Sequence, residues 1–203
     1  VRAQAQGSGW RLEGVHKHMP YAASADWLVV SARTGDGAGG DACLFLVARH
    51  APGVRLRPYR LIDGTPAADV HLEGAEATAL CTPGSAQAHE AMEAANAAGI
   101  AAACAEMVGA MEAALRLTVD YVKTRHQFGR AIGENQALRH RIAEMLVALE
   151  TARSMSIAAA VAVRDGGFAK AQTRADLHRA KFLVGRNART VCQSAIQLHG
   201  GIG

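Results

Sequence analysis

The order of apolar and polar positions changes character once along this chain. Up to about residue 73, apolar residues come in short runs rich in β-branched and aromatic side chains, "ADWLVVSA" and "ACLFLVA", parted by "RTGDGAGGD". Runs of this kind bounded by turn-forming residues predict strands, and two joined this way predict a hairpin. "GVRLRPYRLIDG" and "AADVHLEG" continue the alternation with Gly and Pro punctuation, and the residues from Val1 onward already read as strand. After "CTPGSAQAHE", a linker by composition, the period lengthens. From 88 to about 125, Val108, Met111, Leu115, Thr118, Val119 and Val122 recur at helical spacing. "GRAIGENQ", with Gly129 and Gly133, interrupts that helix. A second then carries Leu138, Ile142, Met145, Leu146 and Leu149 on one stripe, with Arg139 and Arg141 elsewhere on its surface. "RDGGF" breaks the chain again before a third helix over about 169–198. Long helices with short connections pack as antiparallel neighbours. The predicted architecture is α+β and multidomain: a small antiparallel β domain over 1–75, a linker over 76–88, and an antiparallel helix bundle over 89–203.

Composition agrees with a globular chain. Half of the 203 residues are hydrophobic but only 4% are aromatic, which favours closely packed helices over an aromatic-rich β fold. The net charge of +4 is mild and no block of like charge appears, so a nucleic-acid partner is not expected. Cys43, Cys81, Cys104 and Cys192 lie far apart without a CxxC pair, and reduced, buried thiols are expected. We read no apolar run as long enough for a membrane span and no secretory leader, so the expected location is cytoplasmic. A start at Val1 without Met fits a piece of a longer chain.

Several motifs compete for a functional role. Gly35, Gly37 and Gly40 satisfy GxGxxG, but the next segment is the strand "DACLFLVA" rather than the helix that a dinucleotide fingerprint needs. A hairpin turn explains them better. His16 and His18 stand two apart on a predicted strand with no nearby Cys, Asp or Glu to complete a metal site. Arg174, His178 and Lys181 form a basic stripe without interleaved aromatics, which reads as a solvated helix face. The segment "TRHQFGRAIGENQALRHRIAEM" is more informative. Arg125 ends one helix, glycines shape the connection, and Gln136 stands near the start of the next. An Arg in such a loop suits bidentate phosphate recognition and a nearby Gln can fix a polar ligand; equally, Arg125 can pair with a carboxylate while the glycines form a turn.

"YVKTRHQFGRAIGENQALRHRIAEML" together with the terminal "QLHGGIG" resembles the C-terminal helical domain of the acyl-CoA dehydrogenase family, and "AACAEMVGAMEAAL" looks like the helix that opens it. "ADWLVVSART", "LFLVARHAPGV" and "DGTPAADVHLEG" are similar to the family's middle β domain. The resemblance implies a flavoprotein that carries FAD between the two domains. It implies an assembly, commonly a homotetramer, in which helices of one subunit reach a neighbour's flavin. By the same resemblance Arg125 of RxQFG matches the arginine on the FAD diphosphate, Gln127 and Phe128 belong to that motif, and Gln136 matches a cofactor-contacting glutamine. Gln197, His199, Gly200 and Gly201 match the stretch where the cofactor approaches the backbone. The implied reaction is α,β-dehydrogenation of an acyl-CoA, with electrons passed to an electron-transfer flavoprotein.

Departures from the family pattern matter as well. The base commonly lies beyond the HGGxG motif, outside these residues, and the alternative helix position aligns near Gly99, where there is no carboxylate. "HKHMPYAASAD" replaces the usual flavin-contacting stretch. An alternative reading is therefore a catalytically degenerate subunit that completes a partner's flavin site in a heteromeric assembly.

Overall fold

The computed structural model describes residues 1–35, 40–165 and 170–203. It divides into two compact units, Val1–Met92 and Glu93–Gly203.

The first unit is built from β1 (Arg2–Gln6), β2 (Gly9–Pro20), β3 (Trp27–Thr34), β4 (Asp41–Ala48), β5 (Val54–Arg60) and β6 (Pro66–Ala79). Alternation decides which side chains face inward. Leu28, Val30 and Ala32 of β3 and Cys43, Phe45 and Val47 of β4 are buried, while Trp27, Val29 and Ser31 point to solvent. β3 and β4 pair antiparallel from Trp27↔Ala48 to Thr34↔Asp41, so Gly35 and Gly40 flank a hairpin connection; Gly37 lies outside the described residues. The sheet order is β2-β1-β3-β4-β6-β5, and a further β2–β6 pairing closes β1 to β4 and β6 into a ring around Leu12, Phe45, Val70 and Leu72.

Two expectations are corrected here. The sheet is not wholly antiparallel, because β1 pairs with β3 in parallel at Arg2↔Arg33 and Ala3↔Thr34. The connection from β2 to β3 carries the chain across β1, which then has antiparallel β2 on one edge and β3 on the other. The stretch 76–88 is also mostly regular structure. β6 continues to Ala79, because Glu76 and Ala77 still pair with β2 and Thr78 and Ala79 with β4.

The second unit contains most of α1 (Ala86–Thr124), then β7 (His126–Gln127), β8 (Arg130–Ala131), a short 3-10 turn at Ile132–Glu134, α2 (Gln136–Arg164) and α3 (Ala171–His199). The start predicted for the third helix, Ala169, lies outside the described residues. Cys104, Val108, Met111, Leu115, Thr118 and Val122 bury one stripe of α1, at steps of three and four residues. It packs with Met145 and Leu149 of α2 and Leu177, Val184 and Val191 of α3. Two buried polar side chains of this unit find backbone partners: the Thr118 hydroxyl donates to the Ala114 carbonyl at 2.7 Å, and the Asn187 amide of α3 donates to the Ala148 carbonyl of α2 at 3.0 Å. Leu146, predicted on the core stripe of α2, is 48% exposed, one residue round from the buried Met145.

The expectation that no apolar run reaches membrane-span length is also corrected. By length and composition α1 and α2 both qualify, with windows of mean hydropathy 1.4 and 1.5. Alanine supplies much of that hydropathy, and a core helix of a folded domain passes the same test.

Candidate functional site

The RxQFG segment forms a tight hairpin directly after α1. The Arg125 amide closes the helix on the Tyr121 carbonyl at 2.8 Å, and the Ile132 amide returns to the Arg125 carbonyl at 2.9 Å. Between them His126 pairs with Ala131 and Gln127 with Arg130, leaving Phe128 and Gly129 as a two-residue turn. Both have positive φ, 56° and 81°, as a turn matching the twist of its strands requires. Glycine adopts that region freely, whereas for phenylalanine it is strained. Phe128 is nevertheless there, and its side chain is fully exposed.

The base of the hairpin is fixed by the other arginines. Arg130 donates to Asn135 Oδ1 at 2.8 Å, Asn135 Nδ2 to the Ile132 carbonyl at 2.9 Å, and Arg139 Nε to the Gly133 carbonyl at 2.7 Å. Gly133 is required by proximity: a Cβ there would lie 2.9 Å from the Val122 carbonyl oxygen of α1. Arg125 differs from Arg130 and Arg139. Its side chain is exposed and has no carboxylate within ion-pair distance among the described residues. The carboxylate-paired alternative for Arg125 therefore finds no partner within the described chain. Gln136 is the exposed first residue of α2, whose first turn carries no acidic side chain and whose N-cap Asn135 makes no capping bond. Such an end favours negative charge.

The glycine-rich terminus meets this hairpin's helix at the same end of the bundle. Tyr121 of α1 and His199 of α3 stack with ring centroids 4.5 Å apart, and the Tyr121 hydroxyl donates to the His199 carbonyl at 3.3 Å. His199 Nδ1–H donates to the Ala195 carbonyl at 2.8 Å, which leaves Nε2 as the acceptor. Gln197 faces solvent on the last turn of α3, and α3 stops because Gly200 takes φ 67°. A Cβ on Gly200 or Gly201 would meet nothing within 4 Å, and Gly201 needs no positive φ. Among the described residues, no packing contact calls for a glycine at 201.

Tyr121 was not singled out in the sequence, although it opens the quoted motif; an aromatic four residues before Arg125 and level with His199 carries no local signature of its own. The other sequence candidates separate. A bulge between His16 and Met19 divides the two histidines: His16 Nε2 donates to the Ser31 carbonyl at 2.9 Å, whereas His18, at φ 58°, joins Tyr59 and Asp69. No group of three or more metal-ligating side chains exists among the described residues.

Comparisons with known proteins give the chain's family and fold. Residues 88–203, more than half the chain, fit the family model described as "Acyl-CoA dehydrogenase, C-terminal domain". Acyl-CoA dehydrogenase IpdE2 of Mycobacterium tuberculosis is 42% identical over 48% of this chain and 28% of its own length. The structure of a glutaryl-coenzyme A dehydrogenase in complex with glutaryl-CoA covers all of this chain at 27% identity and TM-score 0.90, and this chain corresponds to 52% of it. The ChsE4–ChsE5 complex from Mycobacterium tuberculosis matches over the same extent, at 27% identity and TM-score 0.81. The chain thus spans about half the length of the proteins it matches throughout. With its ring of strands, its helices and its RxQFG hairpin tied through Tyr121 to the QLHGG terminus, it belongs to the acyl-CoA dehydrogenase family.

Proposed function

We propose that this chain is the middle and C-terminal part of an FAD-dependent acyl-CoA dehydrogenase, and that the hairpin and glycine end hold the diphosphate and adenosine portion of FAD. One observation carries the reading: two separate cofactor-type motifs converge on one end of the bundle through the Tyr121–His199 stack, beside an Arg125 with no carboxylate partner among the described residues. The residues present fit the group. Arg125 offers a planar fork for a phosphate, Gln136 and Gln197 offer amides, and Gly200 and Gly201 leave the backbone bare. Phe128 presents an aromatic face for a heterocycle or an apolar wall. Bound FAD would supply the hydride acceptor for α,β-dehydrogenation of an acyl-CoA thioester, with an electron-transfer flavoprotein as the onward acceptor. The base belongs outside α1, since Gly99 stands exposed where that helix would present a carboxylate.

The test is the visible absorption spectrum of the purified chain after FAD is added and the excess removed, with the wild type compared to Arg125→Ala. An oxidised-flavin spectrum is expected, and the variant should bind FAD roughly ten- to a hundredfold more weakly, as for loss of a charge-assisted bond. A well-folded chain that stays colourless, or a variant that binds equally, rejects the assignment. In the full-length protein, anaerobic acyl-CoA should bleach the flavin.

A second reading, a subunit that completes a partner's site without catalysing by itself, has a specific observation behind it. In the stretch "HKHMPYAASAD", where relatives contact flavin, His18 is engaged within its own sheet: Nδ1–H donates to the Tyr59 hydroxyl at 2.7 Å, and that hydroxyl donates to Asp69 at 3.0 Å. The similar ChsE4–ChsE5 structure is a complex of two named chains. Flavin bound only after an unlike chain is added would favour this reading; flavin held and bleached without one would reject it.

A further inference from the structure

The β unit holds a pair of thiols that the flavin reading does not use. β4 and β6 pair antiparallel with Phe45 facing Ala79 and Leu46 facing Thr78, and the Leu80 amide continues the ladder to the Leu44 carbonyl at 2.8 Å. One residue further in the same register, Cys43 faces Cys81. In an antiparallel ladder the pairs next to a hydrogen-bonded pair exchange no backbone bonds and bring their side chains closest, with Cα atoms about 4.5 Å apart, inside the span of about 4.4–6.8 Å that a disulfide bridges. The two Sγ atoms are 3.4 Å apart. Cys43 is fully buried, its thiol directed at the Cys81 carbonyl at 3.1 Å, and burial raises its pKa above the ordinary thiol value. Cys81 is half-buried and is the sulfur a small reagent reaches first.

We propose that Cys43 and Cys81 are an oxidisable dithiol that closes to a cross-strand disulfide when met by a two-electron oxidant of the hydroperoxide class. The Cys81 thiolate attacks the peroxide oxygen; the O–O bond breaks, water or an alcohol leaves, and Cys81 becomes a sulfenic acid. The Cys43 sulfur then displaces the sulfenic oxygen as a second water, its thiol proton leaving with that oxygen. Two thiols are oxidised by two electrons and one peroxide is reduced. The sulfurs close from 3.4 Å to roughly 2 Å, a movement available to side-chain rotation at the end of the β4–β6 ladder. The bridge ties β4 to the second residue after β6, five residues before Ala86, where α1 begins, so it clamps the chain as it leaves the sheet.

The test treats the full chain with hydrogen peroxide, alkylates remaining thiols after unfolding, and maps the peptides by mass. Cys104 and Cys192 act as internal controls, being the other free cysteines. Free thiols are expected to fall from four to two, with a Cys43–Cys81 linked peptide that a dithiol reductant removes and that Cys81→Ser never forms. Exchange of the Leu80 amide, bonded to Leu44, should slow about tenfold or more in the oxidised protein, because local opening of that ladder now needs the bridge to move. The proposal is overturned if Cys43 and Cys81 both remain alkylatable at a dose that oxidises Cys192, or if Cys81 proceeds to sulfinic acid with no bridge to Cys43.

Discussion

Arg125, Arg130 and Arg139 stand within fifteen residues of one another, yet only the last two spend their guanidinium groups on the turn itself. Arg130→Ala should therefore loosen the hairpin and weaken FAD through geometry, whereas Arg125→Ala should weaken FAD and leave thermal stability nearly unchanged. Thermal melts beside a flavin titration separate the two. Tyr121 is tested similarly: Tyr121→Phe keeps the ring stack with His199 and loses only the 3.3 Å hydroxyl bond, so it should cost less FAD affinity than Tyr121→Ala. A pH effect belongs to Asp69. The His18 amide, followed by the Tyr59 hydroxyl, holds its carboxyl below the ordinary aspartate pKa. A folded-state pKa below the unfolded one stabilises the fold above the ordinary value, and that contribution disappears as pH falls through the lowered folded value. Asp69→Asn should thus reduce the loss of stability seen on acidification from neutral to roughly pH 3. Equal acid sensitivity of wild type and variant in denaturant melts would reject the linkage.

Among the elements, α1 and the β3–β4 hairpin were the most legible in sequence, and for a physical reason. Their burial follows a single period, two for Leu28, Val30 and Ala32 and three-to-four for Val108, Met111, Leu115 and Thr118. Met111→Ala should cost about 2–5 kcal/mol in denaturant unfolding because it leaves a void between helices. Elements set by long-range pairing were not legible. The end of β6 reads "AEATA", with no β-branched cluster, and it is a strand because β2 and β4 provide partners. The parallel β1–β3 pairing leaves no local trace either. β7 and β8, two residues each, are too short to show alternation. In sequence Gly133 reads only as one of the glycines that shape the connection, but it is a packing contact: Gly133→Ala should cost about 1–3 kcal/mol because Val122 of α1 cannot withdraw its carbonyl. The candidate site was half legible. Arg125, Gln136 and the terminal glycines announced themselves through motif and residue chemistry, while Tyr121 became visible only when α1 and α3 were laid side by side.

Across the whole molecule, exposed apolar side chains occur in both units, and four of them gather on one helix face. Leu146, Val147, Ile157 and Val161 all lie on the side of α2 away from Met145, Leu149 and Ala152, and the same helix reaches a hydropathy suited to burial along much of its surface. An assembly of the kind that the resemblance implies would offer a use for this face. Val147→Glu together with Ile157→Lys should leave helix content intact and lower the mass observed by sedimentation; an unchanged mass would mean that the face is not an interface. Phe128 has a separate consequence, one that bears on selection. Its positive φ and bare ring mean that the folded chain by itself would be relieved by about 1 kcal/mol if Gly or Asn took its place. A laboratory screen that rewards heat resistance alone should therefore enrich Phe128→Gly and Phe128→Asn early, and on the proposed reading the survivors should be sturdier proteins with a weaker hold on FAD.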